Sequence, residues 1–382
     1  MRVVLAPDSF KESLGAGEVV AALRAGLGEV WPDAEYVEVP LADGGEGTVD
    51  ALVDAAAGAR RDVRTTDPLG RPVDARVGLL HDGRTGVVEC AAASGLGLVE
   101  PADRAPERAS SWGTGDLVRA VLDAGVDRVV LGLGGSATND GGAGFLAALG
   151  ARLLDADGHD VEPAPGWVGR VRDLDLSGLH PRLAEVDLDV ACDVDNPLLG
   201  PTGATAVFGP QKGVDDHRAA GLEADLASWA EVLARAVGAD HRDVPGAGAA
   251  GGLGLAALAL GGRLRPGFDV VAEAVSLADR VGGADLVVTG EGRVDAQTLH
   301  GKAPAGVVRV AREHGVPCLV LGGCLGSGHE ALLEEGAVAV LGTVPALVPL
   351  DDLLVDGAAN LQRTAAAAAR LWQAGAAQAG RE

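Results

Sequence analysis

The sequence predicts an α/β protein of two domains, a parallel-sheet domain of discontinuous sequence (1–64 with 285–382) and a second α/β domain (65–284) inserted into it. Three observations predict this. Short apolar strands alternate with amphipathic helices at both ends of the chain, which is the pattern of a parallel sheet covered by helices. Glycines, 58 in all, fall in bursts after apolar runs and mark tight loops at strand ends. The middle of the chain carries short alternating strands with a hairpin signal, as in an antiparallel sheet.

At the N-terminus, Val3–Ala6 reads as a strand and Ser13–Val30 as a helix, with Leu14, Val19, Leu23 and Leu27 on one face. Ala34–Pro40 reads as the second strand and Thr48–Ala57 as the second helix. In the middle, Pro72–Leu80 and Thr85–Cys90 read as strands joined by His81-Asp82-Gly83-Arg84. Toward the C-terminus come strand Asp285–Thr289, a helix near Pro304–His314, strand Pro317–Leu321 and a helix near Gly328–Glu335. Strand Val338–Thr343 and a long Ala-rich helix end the chain.

Composition removes several function classes. A length of 382 residues with 47% apolar residues supplies two cores and argues against disorder. A net charge of −24 opposes nucleic acid or an anionic membrane as partner, although local cations and backbone N–H groups can still bind a phosphate. Cys90, Cys192, Cys318 and Cys324 have no CxxC spacing and read as free thiols in a reducing compartment. The eight histidines form no zinc-ligand grouping, and no G-x-S-x-G nucleophile elbow is present. The chain shows no secretory signal, and Gly251–Gly262 is too short to span a bilayer. A cytoplasmic protein acting on a small molecule is expected; a homodimer is admitted but not required.

The chemistry lies in loops expected beyond the carboxyl ends of strands, where open parallel sheets bind ligands. These are Pro7-Asp8-Ser9-Phe10-Lys11, Ala42-Asp43-Gly44-Gly45-Glu46-Gly47-Thr48, Gly132–Gly142, and Thr289-Gly290-Glu291-Gly292-Arg293-Val294-Asp295. Gly134, Gly135, Ser136, Thr138 and Asn139 suit a phosphate cradle, because glycine lets N–H groups approach anionic oxygens and hydroxyls add donors. Gly132–Ala137 also matches the dinucleotide fingerprint G-x-G-x-x-A, but Thr138-Asn139-Asp140-Gly141-Gly142 intervenes before the helix. A Walker A motif is absent, since Gly301-Lys302 is followed by Ala303.

Only three of the 31 Lys and Arg residues are lysine, and Lys11, Lys212 and Lys302 all lie in such loops. A compact ammonium on a flexible stem suits phosphate binding and charge neutralisation. Carboxylates recur in the same loops: Asp43 with Glu46, Asp193 with Asp195 after a strand, and Glu291 with Asp295 around Arg293. Phosphoryl transfer needs a Mg²⁺ on few carboxylates and a carboxylate near the attacking hydroxyl. With the cations, these groups predict a cleft between the domains for a nucleotide, a metal and a small anion.

Taken in order, Ala6–Ser13, Ala42–Thr48, Gly134–Gly142, Phe208-Gly209-Pro210-Gln211-Lys212-Gly213, and Thr289–Arg293 with Asp295, Gln297 and Thr298 resemble the bacterial glycerate kinase family, of glycerate 2-kinase type. The resemblance runs from about residue 1 to 345. It implies ATP-dependent phosphorylation of D-glycerate with Mg²⁺, at the 2-hydroxyl in preference to the 3-hydroxyl. It also implies a flavodoxin/Rossmann-like domain of discontinuous sequence. Chemistry then suggests roles. The 134–139 loop and Lys302 would hold the ATP phosphates, Asp43 and Glu291 the Mg²⁺, and Asp193 or Asp195 would take the proton. Lys11, Lys212 and Arg293 would bind the substrate carboxylate and the moving phosphoryl, beside Asp8 and Ser9. The alternatives are a nicotinamide-dependent oxidoreductase of a small hydroxy acid and a non-enzymatic small-acid sensor.

Overall fold

The structure is a computed structural model that describes residues 1–81, 83–299, 301–346 and 349–379. Asp82 of the expected hairpin and His300 of the loop before Lys302 lie outside the described residues. In chain order the strands are β1 (Arg2–Leu5), β2 (Glu35–Glu38), β3 (Ala59–Thr66), β4 (Pro72–Leu79), β5 (Thr85–Glu89), β6 (Arg128–Gly132), β7 (Arg152–Leu154), β8 (Asp173–Asp175), β9 (Asp187–Ala191), β10 (Arg263–Arg265), β11 (Leu286–Val294), β12 (Cys318–Leu325) and β13 (Ala337–Gly342). Contacts divide the chain into two compact units, Met1–Asp43 with Asp54–Ala56 and Val271–Glu382, and Gly44–Val53 with Ala57–Val270.

The first unit holds a five-stranded sheet in the order β13-β12-β11-β1-β2, every pair parallel. Its inner strands β1, β11 and β12 carry short buried runs of Val and Leu, as expected where helices cover both faces, whereas the edge strand β2 is Glu-Tyr-Val-Glu. Val3 and Leu5 of β1 pack with Val19, Leu23 and Leu27 of the helix Ala16–Gly28 and with Leu361 and Ala365 of the helix Gly357–Ala379. The first helix starts later than its apolar spacing suggests. Phe10 and Leu14 exchange backbone hydrogen bonds in a tight turn, with Glu12 at φ 67°, and the Glu18 carboxylate accepts the N–H of Gly15 at 2.8 Å. These residues settle the chain at the helix entrance.

One expectation fails in this sheet. Thr289–Asp295 reads as a loop because glycine punctuates it, yet β11 continues through Val294. The partner strand continues with it, pairing Gly290 with Leu321, Glu291 with Gly322, Arg293 with Cys324 and Val294 with Leu325. The glycines allow close approach rather than a turn: a Cβ on Gly290 would lie 2.0 Å from the Leu321 carbonyl.

The second unit holds a mixed six-stranded sheet in the order β10-β9-β6-β5-β4-β3. β5, β6, β9 and β10 run parallel, and β3 and β4 add an antiparallel edge. β4 and β5 are the expected hairpin strands. β3, Ala-Arg-Arg-Asp-Val-Arg-Thr-Thr, escapes a hydrophobic-pattern reading because its outer half is exposed on all sides. Charged side chains of this kind protect a sheet edge from pairing with other chains. Trp229, Trp167 and Phe145 anchor the core around Leu117, Leu131 and Leu146. Two strands of the second unit, β7 and β8, form a separate antiparallel pair.

Candidate functional site

In the second unit the Gly132–Gly142 segment follows β6. Gly134 is half-buried, Gly135 is exposed with φ 74°, and Ser136 through Gly142 are buried. Among the described residues, the N–H groups of Gly134, Gly135 and Ser136 have no hydrogen-bond acceptor. Three successive open N–H groups around a left-handed glycine form a concave, positively polarised surface suited to an anion.

Lys212 lies under this turn at 2% exposure. Its Nζ donates to Ser136 Oγ at 2.9 Å and to the Thr138 carbonyl at 2.7 Å. No ion-paired carboxylate balances it among the described residues, and burial pulls its pKa down to about 8. A buried ammonium with a third donor to spare is costly to hold without an anion.

The rest of the segment is used for packing. Thr138 Oγ1 donates to the Ala250 carbonyl at 3.4 Å, and Asn139 Nδ2 donates to Thr205 Oγ1 at 3.1 Å. The Asp140 carboxylate accepts the N–H groups of Ser111, Gly142 and Gly144 and the hydroxyl of Ser111, while burial raises its pKa. The start of the helix Ala143–Ala148 is therefore capped by the protein's own carboxylate. The anion-binding potential is confined to Gly134–Ser136.

The Gly44–Gly45 backbone crosses this loop at close range. A Cβ on Gly132 would lie 2.3 Å from the Gly44 carbonyl, and one on Gly134 would lie 2.7 Å from Gly45 Cα. Glycine is obligatory there because backbone meets backbone. Asp193 and Asp195, after β9, are exposed; Asp193 Oδ1 accepts the N–H of Gly267 at 2.8 Å.

In the first unit, Asp8 after β1, Asp43 after β2 and Glu291 within β11 are coupled electrostatically. Asp8 is 5% exposed, and its pKa is pushed up to about 7, chiefly by burial and then by the Asp43 carboxylate, with Lys11 opposing and Glu291 adding. The Ser9 N–H donates to Asp8 Oδ1 at 2.6 Å. Exposed Lys11 lies 3.7 Å from Asp43. Glu291 is buried; Thr298 Oγ1 donates to it at 2.5 Å and Lys302 Nζ at 3.1 Å, but burial still raises its pKa. Exposed Arg293 is held at 2.8 Å by Asp295, whose pKa the guanidinium lowers.

The structure thus brings together Asp8, Ser9, Lys11, Asp43, Glu291 and Lys302 in one unit, and Gly134, Gly135, Ser136 and Lys212 in the other. Glu89 lies in none of the motifs that the sequence singles out. It ends β5, is 7% exposed, and accepts the N–H groups of Gly47 and Val49. Its one signal is its place at the carboxyl end of β5, a strand of the mixed sheet.

A family model described as the glycerate kinase family matches residues 3–373. The chain belongs to the glycerate kinase family. A glycerate kinase of Bacillus subtilis is 49% identical over 366 residues, covering 96% of each chain. A glycerate 2-kinase of Escherichia coli is 46% identical over 353 residues, covering 92% of this chain and 93% of its own. The crystal structure of a Salmonella typhimurium LT2 protein with the provisional name glycerate kinase 2 is 46% identical. It superimposes with a TM-score of 0.89 over 98% of this chain and 99% of its own.

Family membership makes the chain a glycerate kinase, a phosphotransferase with an alcohol acceptor, and implies ATP use. The helix after the Gly132–Ala137 segment opens only at Ala143, outside the dinucleotide fingerprint. Among the described residues, no helix is long and apolar enough to cross a membrane.

Proposed function

We propose that this glycerate kinase transfers the γ-phosphoryl of ATP to the 2-hydroxyl of D-glycerate with Mg²⁺. The observation that carries the phosphate side is the trio of open N–H groups at Gly134–Ser136 over the buried ammonium of Lys212. Backbone donors preorganised in this way stabilise charge on a transferring phosphoryl without reorganising. Thr138 and Asn139 support the loop from behind. Lys212 is assigned to the phosphoryl oxygens bound there, and its third N–H fits that role.

Proton and metal handling are assigned to the first unit. Asp8, Asp43 and Glu291 are hard oxygen donors; burial raises the pKa of Asp8 most, the Asp43 and Glu291 carboxylates add to it, and that added repulsion is what a divalent cation would relieve. Asp43 and Glu291 would hold Mg²⁺. Lys302 would then turn from Glu291 toward phosphate oxygens. The bound cation would neutralise charge on the phosphates. Asp8, buried and with a pKa near neutrality, is assigned to accept the hydroxyl proton, with Asp193 and Asp195, both exposed, as the other candidates. Lys11 and Arg293, both exposed, remain the candidates for the glycerate carboxylate and the moving phosphoryl.

The same reading takes the first unit as flavodoxin-like. Numbered within that unit, its all-parallel strand order is 2-1-3-4-5. Residues 65–284 are taken as the domain inserted into it. A coupled ATPase assay tests the activity: D-glycerate should stimulate ADP release and L-glycerate should not. Equal stimulation by the two enantiomers refutes the substrate assignment.

A further inference from the structure

Glu89 is a buried acid in an expensive place. Its Oε1 accepts the Val49 N–H at 2.5 Å and its Oε2 accepts the Gly47 N–H at 3.2 Å. Burial pushes its pKa up to about 7, and the neighbouring acids Asp50 and Glu46 add to the shift. A glutamine would be cheaper to bury, but it offers one acceptor and one donor where two donors converge. The site therefore needs both carboxylate oxygens.

What Glu89 holds is the turn from Gly44 to Val49. Thr48 Oγ1 closes that turn on the Gly45 carbonyl at 2.7 Å. The turn in turn presses on the phosphate loop, through the Gly44–Gly132 and Gly45–Gly134 backbone contacts, and a Cβ on Gly44 would lie 2.7 Å from Ala191 Cβ. The next residue grips the loop directly: the Cys90 N–H donates to the Gly132 carbonyl at 2.9 Å, and Cys90 Sγ lies 3.2 Å from the Gly134 carbonyl. Glu89-Cys90 is thus a two-residue clamp across the turn and the loop.

We propose that Glu89 is a positioning residue for phosphoryl transfer, clamping the Gly44–Val49 turn against Gly132–Ser136 so that the loop's N–H groups stay aimed at phosphate. This rests on the phosphate role given above to Gly134–Ser136. The ligand served is the polyphosphate of the nucleotide, and glycerate binding is left untouched.

Steady-state kinetics of Glu89→Gln test it, with ATP and glycerate varied separately. The variant is expected to remain folded, raise KM for ATP by about tenfold or more, and leave KM for glycerate within twofold. Thr48→Val loosens the same turn without touching the buried acid, and should raise KM for ATP several-fold in the same selective way. An unchanged KM for ATP in a folded Glu89→Gln protein overturns the proposal. So does a fall in both substrates' parameters that merely tracks the unfolded fraction. Should Glu89→Gln not fold, an unchanged KM for ATP in Thr48→Val overturns it. If the unmodified enzyme itself fails to phosphorylate glycerate, the functional reading falls instead, so the two failures are distinguishable.

Discussion

Replacing Lys212 with methionine separates an ammonium kept for function from one kept for stability. The side chain is 2% exposed, and burial lowers its pKa from 10.5 to about 8. At 1.36 kcal/mol per pKa unit, holding the proton at neutral pH costs the folded state about 3 kcal/mol. The folded protein binds this proton less tightly than the unfolded chain does. Stability should therefore rise as pH climbs from about 8 toward 10.5, and this residue should contribute no slope below 8.

Methionine removes that cost but leaves Ser136 Oγ and the Thr138 carbonyl without their donor, at about 1–3 kcal/mol for each unsatisfied group. The two effects largely offset each other, so Lys212→Met should change stability by no more than about 3 kcal/mol. Activity has no such compensation. Loss of a preorganised group facing the phosphoryl should lower kcat by about 10²–10³. Urea melts between pH 7 and 10 should show the upward slope flattened in the variant, and initial rates at pH 7.5 should show the loss. A variant with full turnover refutes the assignment of Lys212, whatever its stability.

Asp8→Asn should raise the thermal midpoint while removing activity. Its folded pKa is raised from 3.8 to about 7, so stability falls as pH rises through that window and stays low above it. Asparagine should recover up to about 4 kcal/mol at pH 8, read by calorimetry. It should also cost about 10²–10⁴ in kcat; a variant as active as the parent excludes Asp8 as proton acceptor. Gly134→Ala places a Cβ 2.7 Å from Gly45 Cα, where neither backbone can rotate away. It should destabilise by about 1–3 kcal/mol and raise KM for ATP, and a melt identical to the parent's contradicts the close approach. Chelation with EDTA should stop turnover and added Mg²⁺ should restore it; chelator-insensitive turnover removes Asp43 and Glu291 from metal binding.

The five-stranded sheet was legible because Val3–Leu5, Leu286–Val288 and Leu319–Leu321 are apolar runs between helices with one buried stripe each. Its extension through Val294 was not, since glycine signals a turn and close strand approach alike, and only the pairing of Glu291 with Gly322 decides between them. β3 was hidden by its arginines, which belong to a solvent-facing edge. In the candidate site, the rarity of lysine pointed to Lys11, Lys212 and Lys302, but it could not tell that Lys212 is buried while Lys11 is exposed. That difference depends on contacts such as Lys212 with Ser136, separated by 76 residues. Glu89 was invisible for the same reason: its partners Gly47 and Val49 lie 42 and 40 residues away, and no spacing within β5 announces them.

Phosphorus NMR of the product formed from ATP, Mg²⁺ and D-glycerate distinguishes transfer to the 2-hydroxyl from transfer to the 3-hydroxyl or none. Transfer to the 2-hydroxyl gives one new phosphomonoester, coupled to a single methine proton, as in 2-phosphoglycerate. Coupling to a methylene pair, as in 3-phosphoglycerate, or ADP formation with no phosphoglycerate at all, contradicts it.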